Sequence, residues 1–553
     1  MSQLSALPPS PYWEEAALGY DAYSILKTGK DHHGNTLPIV AFESFGDFKP
    51  SLYFYAAVPS IAIFGLNTLA VRLPSALAGI ITVWLVYLLV KELTIEYRKN
   101  SKPQKKISLT FSIQHSAFYS AFFLAIMPWH ILVSRVAFET NLGLLFVTLG
   151  TYLWLRSDKN NQINQVLVIL STISFGLSLY AYHGLRVFTP LIMLVLLLQR
   201  ITPIKPTPKS IIQSLKPYLV SMFVFTVLMA PILIKLSEPQ ITQRFAQTSA
   251  FATLDPILQS NQAIQQDGGG IIARLIHHRY WYYSKIYLEN YLSHFTIDFL
   301  FLSGDSNPRH STGFTGQLML IQLPLIIIGL IAVTSNPYLR KRFGYLIISW
   351  MLISPIAAGA TIATPHALRS LPMVIPLAIV SGIGLYQVFV TVPAIVKKTN
   401  YNPITNYQLP ITVSIIVIGI TIPLVELIRF WYHYNNVYPY QHSSQWQYGY
   451  QSLIQYINEK KHHYDTIQMT RDQGRPAMYY WFYSQTDPQQ VQQWNTKAPK
   501  DQGEYLQYEN LYFGINPQQP GKTLQIDSSL PENATAIKTI NSLDNKPVFY
   551  IYE

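Results

Sequence analysis

The 553-residue chain has no cysteine and little charge. Without thiols there is no disulfide framework, thiol nucleophile, zinc–thiolate site or iron–sulfur centre. Charged residues make up 12% of the chain, against about 25% in an ordinary soluble protein. Apolar residues make up 49%, too many for a disordered chain. Nucleotide and hydrolase signatures are missing as well. There is no Walker A loop, no GxGxxG opening a helix after a strand, no HExxH and no GxSxG. His32-His33 and His462-His463 are adjacent pairs without a third ligand at metal-site spacing. No metal or other cofactor is therefore expected, although a pair of carboxylates can accept a divalent ion.

What is present is a series of long apolar runs. They lie near 75–92, 112–128, 140–156, 164–182, 187–200, 217–235, 317–334, 343–361, 370–393 and 410–430. Each reads as a transmembrane helix, which needs roughly 20 apolar residues. A shorter run at 51–66 contains Pro59 and either spans or lies on the membrane surface. Segments 91–111, 156–163, 200–216, 335–342 and 394–409 together hold seventeen Lys+Arg and three acids. The alternate short loops hold one cation each, Arg135, Arg186 and Arg369. By the positive-inside rule the first set is cytoplasmic. Much of the net +12 is thus a topology signal, Lys102, Lys105 and Lys106 included, and no nucleic-acid partner is expected.

Residues 1–50, 236–316 and 431–553 then fall on the outer face. MSQLSALPPSPYW carries no signal-peptide pattern. Either 51–66 spans and the first fifty residues are inside, or a helix precedes this sequence; the second arrangement is favoured. Beyond 430 the composition turns to Gln, Tyr and Asn. Candidate strands at 465–470, 523–527 and 547–553, with a helix at 447–461, read as a small outer α/β domain.

Ionisable residues crowd the outer ends of the helices and leave the spans nearly uncharged. A transporter would place them mid-span, facing a cavity, so the pattern favours an enzyme open to the outer leaflet. Glu14-Glu15 in an aromatic, Pro-bounded segment can supply a general base, or simply an acidic first helical turn. Glu139, at the outer start of a span, is either a second carboxylate of the site or a helix-dipole and Arg135 partner. Lys49, His183, Arg186, His366 and Arg369 are cations at the depth of a lipid phosphate. Singly, each is an ordinary boundary residue. Gly304-Asp305-Ser306-Asn307-Pro308-Arg309-His310-Ser311 is a turn by composition, with Asp305, Arg309 and His310 as candidate substrate contacts. The aromatics at 280–283 offer either a stacking surface for sugar or interfacial anchors.

The runs PPSPYWEEAALGYDAYSILKTGKDHHGNTLP, FGDFKPSLYFY, AVRLPSALAGIITVWLVYLL, MPWHILVSRVAFETNLGL, YAYHGLRVFTPL and TPHALRSLPMVIPL resemble the GT-C integral-membrane glycosyltransferases. The resemblance is to the family 39-like enzymes, related to protein O-mannosyltransferases and the lipid A aminoarabinose transferase, and it covers most of residues 8–393. It implies a mainly α, polytopic bundle of ten to eleven helices over 1–430, with an outer catalytic loop at 1–70 and a long outer loop at 236–316. An extracytoplasmic α/β domain follows at 431–553. The resemblance also implies that 51–66 is a surface or re-entrant helix.

In such enzymes an acid in the first outer loop, usually Asp, is the proposed base. Glu14 matches it, with Glu15 beside it, and Glu139 matches the family's second acid. Lys49, before Pro50, matches the lysine that contacts the lipid-linked phosphate. Arg369 and His366 match a further phosphate contact by position. The implied reaction is inverting transfer of a sugar from a polyprenyl-phosphate donor to a protein, lipid or glycan acceptor. It takes place in the plasma membrane, at the extracytoplasmic face. Two readings stand beside it: a transporter or flippase of a lipid-linked sugar, and a degenerate polyprenyl-phosphate binder. Charges within the spans would favour the first, and the Glu-for-Asp change the second.

Overall fold

The structure, a computed structural model, describes residues 3–99, 103–159, 162–201, 216–235, 238, 247–340, 344–398, 408–516 and 520–553. Lys102, most of the basic segment 200–216 and parts of 335–342 and 394–409 lie outside the described residues. The chain divides into two compact units. One comprises Met1–Leu77, Val133–Glu139 and Trp431–Glu553, the other Ala78–Leu132 and Thr140–Phe430. The first 77 residues group with Val133–Glu139 and the C-terminal segment from Trp431 onward.

In the first unit, helix α1 (Trp13–Thr28) follows the proline-rich start and ends at Gly29. There φ is 70°, and the Gly29 N–H bonds the Ile25 carbonyl. A left-handed cap of this kind favours glycine. A short hairpin follows, β1 (Ala41–Ser44) and β2 (Asp47–Pro50), with Lys49 opposite Phe42. Helix α2 (Leu52–Phe64) has 13 residues, about 20 Å of rise. That is too short for the hydrocarbon core, and Tyr53, Phe54, Ala57 and Ile61 are buried. The surface or re-entrant reading of 51–66 fits this length.

The same unit carries a six-stranded mixed sheet built from β3 (Thr466–Met469), β4 (Gln507–Tyr508), β5 (Leu511–Phe513), β6 (Thr523–Asp527), β7 (Lys538–Asn541) and β8 (Pro547–Tyr552). The strand order is β7-β8-β6-β3-β5-β4. β3 runs parallel to β5 and β6, and the other pairs are antiparallel. The three expected strands and the expected helix (Tyr450–Lys460) are present. Two further helices, Pro476–Ser484 and Pro488–Asn495, pack on α1. Tyr479 Oη donates to the Pro11 carbonyl at 3.0 Å, and Tyr20 Oη to that of Thr486 at 2.9 Å. The C-terminal segment therefore grips the helix that carries the candidate acids.

All ten expected spans fall on helices. Among the described residues, however, only Thr68–Leu93, Lys216–Lys235 and Leu371–Val390 are long and apolar enough to cross a membrane. A fourth span results if His115–Ile126 and Pro128–Ser134, bent by 61°, count as one. Of the ten to eleven expected spans, three to four are thus supported among the described residues. The 343–361 run is divided into Tyr345–Ile353 and Ile356–Gly359 around Pro355. In the second unit, Val374–Lys398 packs between Pro103–Ile126 and Gln322–Ser335. A methyl group at Gly384 would collide with the Leu325 carbonyl, and one at Gly382 with the Ser120 backbone. Small residues permit this close helix approach.

Candidate functional site

Three of the sequence-nominated residues come together in the first unit. Glu14 lies in the first turn of α1. β2 delivers Lys49, whose Nζ is 2.6 Å from Glu14 Oε1 and 3.4 Å from Asp47 Oδ2. Tyr12 Oη donates to Glu14 Oε2 at 2.9 Å. The Lys49 side chain is only 9% exposed, while that of Glu14 is 32% exposed. Glu139, the first residue of helix Glu139–Arg156, is buried. Burial pushes its carboxyl up to about 7, with Lys49 pulling it down and Glu14 pushing it further up. The arrangement is an accessible carboxylate held by a buried ammonium, with a second carboxyl that titrates near neutrality. The open acid can take a proton from an incoming hydroxyl. Once it does, the ammonium has lost an anionic partner and can turn to a developing oxyanion.

Glu15 differs from its expected role. Its carboxylate is sealed against Arg72, with Nε–Oε1 and Nη2–Oε2 both 2.8 Å. The Ala137 N–H also donates to Oε1 at 2.9 Å. Both side chains are fully buried. Arg72 also donates to the carbonyls of Leu4, Pro8 and Ser10. Such a bidentate pair with satisfied remaining donors is a clamp. It fixes the proline-rich start onto α1 and leaves Glu15 no face for substrate. Arg135 similarly donates to the Gln3 and Leu7 carbonyls and stacks over Trp431 and Tyr434.

The remaining nominated residues lie in the second unit. Asp305 accepts from Asn307 N at 2.9 Å, Ala367 N at 2.7 Å and His310 Nδ1 at 3.0 Å. Burial pushes its carboxyl up, but the His310 hydrogen bond and charge outweigh that and hold it at about 2. Asp305 and His310 thus tie their loop to residues 366–367 and are not open substrate contacts. Arg309 sits in the same turn, its N–H bonded to Asn307 Oδ1 at 3.0 Å. The His366 ring lies 4.8 Å from that of His310, tilted by 39°, and the His366 backbone N–H donates to His294 Nε2. Arg369 donates to Thr361 Oγ1 and the Ile362 carbonyl at 2.6 and 2.7 Å. Its own carbonyl lies against Gly184 in the turn between His183 and Arg186. Arg186 Nε donates to the Leu179 carbonyl. One ligand atom each of Asp305, His310 and His366 lies within 4.8 Å of the others.

Sequence reasoning missed several residues. Arg72 was visible as a lone cation in the apolar run AVRLPSALAG. Asp21 and His32 form a buried contact of 2.6 Å. Burial pushes the Asp21 carboxyl up to about 7 and the His32 imidazole down to about 4. Arg475 stacks on Trp13 and Phe45 and pairs with Glu504. Nothing in the sequence links position 475 with position 13.

Residues 48–97, which include Lys49, α2 and Arg72, match the family described as dolichyl-phosphate-mannose-protein mannosyltransferase. A comparison with curated proteins found no match. Among solved structures, ArnT from Cupriavidus metallidurans in the apo state is similar at 10% identity and a TM-score of 0.50, over 99% of this chain and 93% of that one. ArnT bound to undecaprenyl phosphate is similar at the same identity and TM-score, over 97% and 93%. The Archaeoglobus fulgidus oligosaccharyltransferase tethered to an acceptor peptide shares 11% identity over 87% of this chain and 60% of that one. Its TM-score of 0.48 is too low to build on. The chain therefore has the fold of ArnT, and the resemblance to GT-C glycosyltransferases holds at the level of fold.

Proposed function

We propose that this protein is a membrane glycosyltransferase that moves a sugar from a polyprenyl-phosphate donor to a hydroxyl of a protein, lipid or glycan acceptor, with inversion. The observation that carries the reading is the contact between the half-open Glu14 and the buried Lys49 at 2.6 Å. Glu14 takes the acceptor hydroxyl proton while the oxygen attacks the anomeric carbon. The bond from that carbon to the phosphate oxygen breaks on the opposite side, and polyprenyl phosphate leaves with the electron pair. Lys49 stabilises the charge that builds on the leaving phosphate. Within the second unit, Arg369, His366, His183 and Arg186 remain candidate phosphate contacts. Glu139 tunes the Glu14–Lys49 pair by its charge, and Glu15 positions α1. The undecaprenyl phosphate bound by ArnT supports a polyprenyl donor here. The outer segments, poor in cations, support an extracytoplasmic site in the plasma membrane.

The test uses the full chain in lipid with a labelled polyprenyl-phosphate-sugar pool. Polyprenyl phosphate release by wild type, lost in Glu14→Gln, supports the transferase. Binding of the donor without release by wild type would leave a carrier or a degenerate binder in its place.

A further inference from the structure

We propose that Asp305, His310 and His366 bind a divalent ion of the zinc class. The three offer one ligand atom each, all within 4.8 Å of one another. In a tetrahedral zinc site, with bonds of about 2.0–2.1 Å, donors lie roughly 3.3 Å apart. Asp305 Oδ2 and His310 Nδ1 are already 3.0 Å apart, and the third donor lies within 4.8 Å of the others. The set of two imidazoles and one carboxylate matches three-ligand zinc sites, which keep a fourth position open for water or an oxyanion. Magnesium and calcium prefer all-oxygen shells.

Two features distinguish this cluster from a plain loop latch. First, an Asp305–His310 hydrogen bond would complete a latch, yet a third ring faces the pair. His366 Nδ1 is buried and has no hydrogen-bond partner. Leaving such an atom unpaired is costly, and a metal ion would supply its partner. Second, the ligands are held from behind. Asp305 is fixed by the N–H groups of Asn307 and Ala367. The His366 backbone is fixed by His294 Nε2 at 3.1 Å, and His294 Nδ1 bonds the Asn290 carbonyl at 2.9 Å. Trp129 Nε1 holds the Ala367 carbonyl at 3.1 Å. Outer partners of this kind orient metal ligands. The ion would clip the 305–310 turn to the 366–367 segment. The spacing 305, 310, 366 matches no metal motif, which is why the sequence assigned none.

The test needs no donor substrate, so it stands apart from the transferase reading. Untagged full-length protein in lipid nanodiscs is dialysed against zinc chloride, and bound metal is counted by mass spectrometry. One zinc per chain is expected, with at least tenfold weaker affinity in His310→Gln and in His366→Gln. Cobalt(II) in the wild-type protein should give the intense visible absorption of a four-coordinate ion. That readout needs no variant to fold. No stoichiometric zinc, a weak six-coordinate cobalt spectrum, or unchanged affinity in both folded variants would overturn the site.

Discussion

Glu14 and Glu15 are neighbours on one helical turn and meet opposite surroundings. Glu14 faces a lysine across a partly open site, and a third of its side chain is exposed. Glu15 faces a fully buried arginine that also binds three backbone carbonyls. The chemical groups are the same. What separates them is who holds the second oxygen and whether solvent reaches it. A carboxylate locked in a bidentate pair and an additional N–H bond has little capacity left for a substrate proton. Glu14, with a third of its side chain exposed, is open to an incoming hydroxyl. Adjacent acids in a sequence are thus divided between chemistry and scaffolding by the elements packed against each side of the helix.

The contrast breaks most sharply at Glu14. Glu14→Gln should lower polyprenyl phosphate release by about 10²–10⁴, the range for loss of a general base, with little change in the unfolding midpoint. Equal losses in release and midpoint would erase the distinction from Glu15. Arg72→Leu should do the reverse, unfolding the protein by about 3–5 kcal/mol because Glu15 is left buried and uncompensated. The double variant Arg72→Leu/Glu15→Gln should recover part of that loss in thermal unfolding.

Glu139→Gln should cost about tenfold in rate, less than the roughly 10²–10³ of a directly stabilising donor. It should also remove an inflection near pH 7 from the rate profile. In wild type the rate should rise through that pH as Glu139 ionises and strengthens Glu14 as a base. The smallest effect concerns Asp21, whose folded-state carboxyl is raised from 3.8 to about 7. Between those values the folded state binds more protons than the unfolded one. Stability therefore falls as pH rises through that window and stays reduced above it. Asp21→Asn keeps the Oδ1 acceptor for the two His32 contacts and should flatten the slope. It should gain stability at pH 8, read by chemical unfolding.

The helices and the C-terminal strands were legible because apolar runs and β-rich alternation are local signals. Strands 523–527 and 547–552 lie within one residue of their expected limits. The count of spans was less legible, because a break such as that at Pro355 divides a run that composition alone treats as continuous. Within the candidate site, Glu14 stood out as one of two adjacent acids in an aromatic, Pro-bounded segment, Lys49 as a cation near a membrane boundary and Glu139 as an acid at the start of a span. Asp305 and His310 were read as substrate contacts, but their oxygens and ring nitrogens bond within the protein. A turn-rich composition says where a loop is and not what its side chains hold.

The sequence alone determined that this chain is helical and apolar, which ends are basic, and where the ionisable residues gather. Those properties follow from composition and periodicity over a few turns. Tertiary structure decided which acid is open and which is clamped, because Arg72 reaches Glu15 across 57 positions. It decided that the C-terminal segment braces α1, through bonds such as Tyr479 to Pro11 over 468 positions. Hydrogen-bond partners at such separations depend on how elements pack, and no local pattern of residues encodes that.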